Sequence, residues 1–204
     1  MTQGYLDKVY AARAPEDTRT LYDAWSASYD AEVRENGYVT PNRCAEALAR
    51  SVSDLTRPVL DFGCGTGLSG LALKLAGFET VDGVDLSPEM LQQARAKRLY
   101  RQLELCTVEG ALPVEIDDYA AVAAIGVIGA GAAPISVFDD LMHGLRRGAL
   151  LVMSLNDHAL QDPANEGRIC EWTDCGAARL LVRERGPHLP GIGLKSNVYI
   201  LEKT

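Results

Sequence analysis

Short apolar runs of strand length recur along the chain at 58–62, 80–85, 103–108, 120–126 and 149–155. Between them, residues 68–76, 87–97 and 135–145 carry apolar positions at helical spacing. In the last of these, Ile135, Phe138, Leu141, Met142 and Leu145 form a stripe that reads as core. The 87–97 segment has a marked start: Ser87 as N-cap, Pro88 at the first helical position and Glu89 against the helix dipole. Upstream, 18–32 reads as a helix. A second is expected after Thr40, taken as its N-cap, with Pro41 behind it and Ala45, Leu48, Ala49 and Val52 on one face. Strands alternating with helices imply a parallel sheet covered on both faces. The tail departs from this rhythm: 179–185 and 197–202 read as strands joined by GPHLPGIGLKS, a hairpin on the sheet edge. The expected fold is therefore α/β, a doubly wound, mostly parallel seven-stranded sheet with a C-terminal antiparallel hairpin. Residues 58–204 form its core, and 1–57 a helical cap over the carboxyl edge within the same domain.

Composition narrows the partners. At 204 residues the chain fits one domain, and its net charge of −8 argues against binding phosphate backbones. The densest basic stretch, Arg95, Lys97, Arg98 and Arg101, reads as a solvated helix face. No apolar run approaches the roughly 20 residues a membrane helix needs. The first residues resemble neither a secretion signal nor a transit peptide. Five cysteines without CxxC spacing point away from a disulfide framework or a zinc site and towards a reduced cytoplasm. No metal is expected.

The chemistry concentrates in VLDFGCGTGLSGLALKLAGFETVDGVDLSPEML, residues 59–91. A strand ends in Asp61, alternating glycines Gly63, Gly65 and Gly67 turn the backbone into a helix, and the next strand ends in Asp85. Glycines permit unusual dihedrals and close approach of a ligand to the main chain. An acid about 20 residues beyond such a turn is placed to accept from ribose hydroxyls. The string also contains G-x-G-x-x-G at Gly65, Gly67 and Gly70, so a nicotinamide dinucleotide must be considered. Against it, Asp61 would bring negative charge near the pyrophosphate, and Gly63 would have no role. S-adenosylmethionine meets both points: its ammonium suits Asp61, its carboxylate the turn amides, its ribose Asp85, and its sulfonium nearby aromatic faces.

VLDFGCGTG followed by VDGVDLSPEMLQQARAK resembles the class I S-adenosylmethionine-dependent methyltransferases. YDAWSASYD at 22–30, LYRQLELCTVEGALP at 99–113 and IGVIGAGAAP at 125–134 are similar to the methyltransferase-like family named after the Williams–Beuren syndrome chromosome region. The resemblance spans about 18–155. It implies that Asp61, Gly63, Cys64, Gly65 and Gly67 line the amino-acid end of the cofactor and that Asp85 holds its ribose. Leu86 and Met90 would lie beside the adenine, with Cys106, Thr107 and Val108 on its other side. Ile125, Gly126 and Val127 would pass below the reactive methyl, and Tyr22, Trp25 and Tyr29 would lie near the sulfonium. The chain departs from the wider class in three places. Thr107 stands where an acid often takes the adenine amine, with Glu109 nearby. Arg147, Gly148 and Ala149 replace a Pro-Gly-Gly turn. Residues 126–134 contain no acid, base or aromatic group.

Other groups carry structural readings beside functional ones. Tyr22, Trp25 and Tyr29 follow the spacing of a buried stripe, compatible with both packing and cofactor contact. Tyr38 is a further candidate. Cys64 is expected inert, and Cys170 and Cys175 are expected to pack a helix. Of the three histidines, His143 and His188 are expected at the surface. His158, beyond the fifth strand, could reach a substrate, so it and Tyr29 are the base candidates, while Asn156 and Asp157 could serve as turn residues. The expected function is methyl transfer to an O, N or S atom of a small molecule. The alternatives are an NAD-dependent oxidoreductase and a non-catalytic S-adenosylmethionine-binding module.

Overall fold

The computed structural model describes residue 24 and residues 28–107, 114–129 and 133–204. Helix α1 (28–35) leads into α2 (Thr40–Ser51), followed by β1 (Val59–Phe62), α3 (Leu68–Leu75), β2 (Val81–Asp85), α4 (Pro88–Lys97) and β3 (Leu103–Leu105). Strand β4 (Ala121–Ala124), α5 (Ser136–Gly144), β5 (Leu150–Asn156), α6 (Pro163–Asp174), β6 (Ala178–Leu189) and β7 (Leu194–Lys203) complete it. The sheet order is β3-β2-β1-β4-β5-β7-β6, the first five strands parallel and β7 antiparallel to both its neighbours. This is the expected fold. Between β1 and β4 the direction of winding reverses, and in such sheets ligands lie in the crevice outside the carboxyl ends of the strands at that point.

Central strands buried on both faces explain the near-continuous apolar runs. Val59, Val81, Ala121, Ala123, Val152 and Ile200 meet Cys44 and Leu48 of α2 and Leu73 of α3 on one face. Leu60, Val84, Val122, Leu151 and Met153 meet Phe138, Leu141 and Met142 of α5 and Trp172 of α6 on the other. The stripe read on α5 is thus core. Helix α2 also belongs to a face layer, with Cys44, Ala45, Ala47 and Leu48 fully buried, so this part of the segment read as a cap covers the face rather than the carboxyl edge.

Local chemistry decided several boundaries. Ser87 caps α4, its hydroxyl accepting from Met90 N at 3.0 Å. Thr40 does not cap α2, whose N-cap is Val39. Its hydroxyl turns to the far end of the chain, 2.9 Å from both His188 Nδ1 and Ser196 Oγ. The Gly/Pro-rich tail is mostly strand, closed by a single turn of 3-10 helix at Pro190–Ile192, because pairing with β7 overrides local turn propensity. His188 is therefore buried, not exposed. Cys170 and Cys175, expected to pack α6, are exposed instead. In the basic stretch Arg95, Arg98 and Arg101 are exposed and Lys97 is half-buried. Arg101 forks onto the buried Asp82 carboxylate, which also accepts from Gln102 N and the Tyr119 hydroxyl.

Candidate cofactor site

At the carboxyl end of β1, Gly63, Gly65 and Gly67 take φ of +70°, +53° and +93°, left-handed backbone open to glycine at little cost. Each has a different neighbourhood. A Cβ on Gly63 would lie 2.6 Å from Val127 Cγ2, so the turn is pressed against the segment leaving β4. A Cβ on Gly67 would crowd the Tyr100 ring at 3.2 Å, whereas one on Gly65 would meet nothing within 4 Å among the described residues. Among the described residues, Gly65 therefore presents bare backbone that no side chain covers.

Asp85 closes the next strand. Its Oδ2 accepts from Gly65 N at 2.8 Å and its Oδ1 from Ser87 N at 2.9 Å, which fixes the carboxylate between the glycine turn and the start of α4. Asp61 is completely buried. Its Oδ2 accepts from Ser69 Oγ at 2.6 Å and from the Tyr100 hydroxyl at 2.7 Å, while its Oδ1 has no hydrogen-bond partner among the described residues. Burial pushes this carboxyl up to about 6, against the two hydroxyl donors and with a further push from Asp85. An orphaned oxygen on a buried acid is costly unless a donor or cation comes to it. That suits a ligand bearing an ammonium and disfavours one bringing phosphates.

The other candidates lie along the same edge. Leu86 is half-buried, Met90 is buried on α4, Cys106 is buried beyond β3 and Thr107 beside it is exposed. Ile125 is buried, Gly126 exposed and Val127 half-buried after β4. Cys64 is buried with its thiol pushed up by desolvation and by the nearby carboxylates, which leaves it without nucleophilic character. Tyr29 and His158 are half-buried. Tyr22, Trp25 and Val108 lie outside the described residues. Among the described residues there is no group of three metal-ligating side chains and no helix long and apolar enough to cross a membrane.

Three contacts went unread in the sequence. Asp30, on α1, accepts from Thr66 Oγ1 at 2.5 Å and pairs with Lys97 Nζ at 2.7 Å, and Lys97 also donates to Thr66 O. The first helix thus grips the glycine turn. Tyr38 brings its hydroxyl to Gly126, where a Cβ would meet it at 2.9 Å, and its ring packs edge-on against His188. Tyr100 lies beneath the turn, and a Cβ on Gly70 would be 2.3 Å from it. The third glycine of the G-x-G-x-x-G string therefore makes room for a tyrosine. A buried glycine inside α3 was the available signal. For Asp30 no local pattern existed.

Comparison with known proteins agrees with this geometry. Residues 59–148 match the family model described as a methyltransferase domain. The human Methyltransferase-like protein 27 is 34% identical over 137 residues, which cover 66% of this chain and 56% of that protein. The chain thus spans little more than half the length of this relative. Among solved structures, a chain of the complex between the Haloferax volcanii Trm112 methyltransferase activator and a methyltransferase superposes with a TM-score of 0.67 at 16% identity, covering 91% of this chain and 97% of that one. A branched-chain polyamine synthase from Thermus thermophilus, solved with 5′-methylthioadenosine, gives 0.62 at 19% identity, covering 80% of this chain and 55% of that one. Sheet order, glycine turn and paired acids define a Rossmann-like methyltransferase fold. Residues 59–148 thus carry a methyltransferase domain, and the chain is similar to the class I S-adenosylmethionine-dependent methyltransferases, a class whose cosubstrate is S-adenosylmethionine.

Proposed function

We propose that this protein transfers the methyl group of S-adenosylmethionine to an O, N or S atom of a small-molecule acceptor. The observation that carries the reading is the pairing of an open Gly65 with the Asp85 carboxylate beside an amine-seeking Asp61. Asp85 takes the ribose hydroxyls, and Asp61 answers the ammonium directly or through one water. Gly63, Cys64, Gly65 and Gly67 supply the backbone wall of the amino-acid end. Leu86, Met90, Cys106 and Thr107 flank the adenine, and Val108, outside the described residues, is proposed with them. Ile125, Gly126 and Val127 floor the reacting centre and Tyr29 of α1 faces the sulfonium, while Tyr22 and Trp25, outside the described residues, complete the proposed contact set.

The bound cosubstrate supplies a methyl group already activated on a sulfonium. The protein's task is to hold an acceptor lone pair in line with the C–S bond at near-attack distance, away from water. Held by Asp61, Asp85 and the glycine turn, S-adenosylmethionine would supply the methyl group and keep the C–S electron pair as a neutral thioether. A base is needed only where the acceptor carries a proton to be lost, and Tyr29 and His158 are the candidates. The acidic chain favours small acceptors over nucleic acid. Five free cysteines, three of them buried, fit a reducing cytoplasm. The motifs at 22–30, 99–113 and 125–134 support the narrower Williams–Beuren-type resemblance.

The experiment is methyl-labelled S-adenosylmethionine offered with a broad metabolite panel, monitored for label transfer and for S-adenosylhomocysteine. Transfer to a panel member is expected. Tight cosubstrate binding with no transfer would instead mark a binding module, and submicromolar NAD(H) binding without S-adenosylmethionine would mark an oxidoreductase.

A further inference from the structure

We propose that Tyr100 is a positioning residue for the cofactor's amino-acid end: its phenol locks the Asp61 carboxylate so that one oxygen is reserved for the ligand's ammonium. The inference rests on the reading that this end of S-adenosylmethionine lies at Asp61. The Tyr100 hydroxyl donates to Asp61 Oδ2 at 2.7 Å and accepts from Gly70 N at 3.2 Å. Its single proton and its acceptor capacity are thus both used. Ser69 Oγ donates to the same Oδ2 at 2.6 Å. Two donors on one oxygen fix the carboxylate's rotation and leave Oδ1 without a partner among the described residues.

Three glycines, from the turn, α3 and β2, leave room for this one ring. A Cβ would stand 2.3 Å from it at Gly70, 3.0 Å at Gly83 and 3.2 Å at Gly67. Packing alone would be served by phenylalanine. The hydroxyl matters because a buried acid with a single donor holds its charge less well, and an ammonium then loses its counter-ion. A nucleoside lacking the amino-acid end should not sense the change.

The test compares two probes in calorimetric titrations at pH 7. S-adenosylhomocysteine carries the ammonium, and 5′-methylthioadenosine is the same nucleoside and sulfur without it. Tyr100→Phe should weaken S-adenosylhomocysteine about tenfold, the loss of one hydrogen bond to a charged group, and leave 5′-methylthioadenosine unchanged. Equal weakening of both probes, or of neither, would make Tyr100 a packing residue and overturn the proposal. Failure of the wild-type protein to bind either probe would instead remove the underlying cofactor reading. Should Tyr100→Phe not fold by circular dichroism, Ser69→Ala strips a donor from the same oxygen. Selective loss there supports the lock, and unselective loss refutes it.

Discussion

Two glycines of one turn share a left-handed backbone and face opposite surroundings, and that difference makes the site testable residue by residue. Gly63→Ala adds a Cβ 2.6 Å from Val127 Cγ2, so we expect a loss of about 2 kcal/mol or more in urea unfolding, partly recovered by Val127→Ala in the same chain. Gly65→Ala adds a Cβ to open space, so its stability cost is about 1–2 kcal/mol from φ alone. Its S-adenosylhomocysteine affinity should nevertheless fall, because the added methyl stands where the ligand must approach. Normal affinity in that variant would place the ligand elsewhere. Asp85→Ala should weaken binding by more than about 1 kcal/mol with the fold intact. Unchanged affinity would take Asp85 out of the site.

Protonation at Asp61 gives a second residue-scale prediction. Burial raises this carboxyl from 3.8 to about 6, with Ser69 of α3 and Tyr100 opposing the rise and Asp85 of β2 adding to it. The folded chain therefore takes up a proton between these values. This contribution to stability is present below about 3.8 and is lost as pH rises through about 6. An ammonium selects the ionised form, so S-adenosylhomocysteine affinity should climb about tenfold from pH 5 to pH 7. In Asp61→Asn that climb should vanish. A flat wild-type profile would separate Asp61 from the amine.

At the level of elements, the joint between α1 and the glycine turn has a kinetic consequence. Asp30, Thr66 and Lys97 come from a helix, a turn and the end of α4, and their bonds must part if α1 is to lift. Asp30→Asn and Lys97→Met should each speed S-adenosylhomocysteine release several-fold in stopped-flow measurements. The double variant should release little faster than either single one, since both break the same joint. Additive effects would mean the two residues act separately. The elements show what the sequence could and could not reveal. Ser87, Pro88 and Glu89 announce α4 because capping is chemistry between near neighbours. The glycine turn and the acids on the flanking strand ends were legible as a spaced motif along one strand–helix–strand unit, not as a contact between near neighbours. Thr40, a good cap by type, was claimed by His188 and Ser196, 148 and 156 residues away. Likewise β6 runs through Gly186 and Pro187 because β7 pairs with it, a constraint absent from local composition. Tyr100 and Asp30 stayed hidden because their partners lie 30 or more residues distant.

Across the whole molecule, the two ends of the described chain meet behind the site. Val39 N donates to His188 O, Gly191 N donates to Asn36 O, and Arg43 reaches Pro187 O and Ser196 Oγ. The C-terminal hairpin thereby braces the segment that carries Tyr38 to Gly126. Burial lowers His188 from 6.5 to about 4. The native state binds fewer protons than the unfolded chain in that interval, so the stabilisation is complete above about 6.5 and is lost as pH falls towards 4. The stability gap between wild type and His188→Gln, measured by urea unfolding, should therefore be widest at neutral pH and shrink in acid. A gap independent of pH would show that the ring stays charged or solvated.

The central claim is that a sulfonium nucleoside lies across the ends of β1 and β2. A crystal structure with S-adenosylhomocysteine tests it most directly. The nucleoside should rest on Gly65 with its ribose on Asp85 and its amine towards Asp61. Ligand density away from the β1–β4 switch point, or with the ribose clear of Asp85, would contradict it.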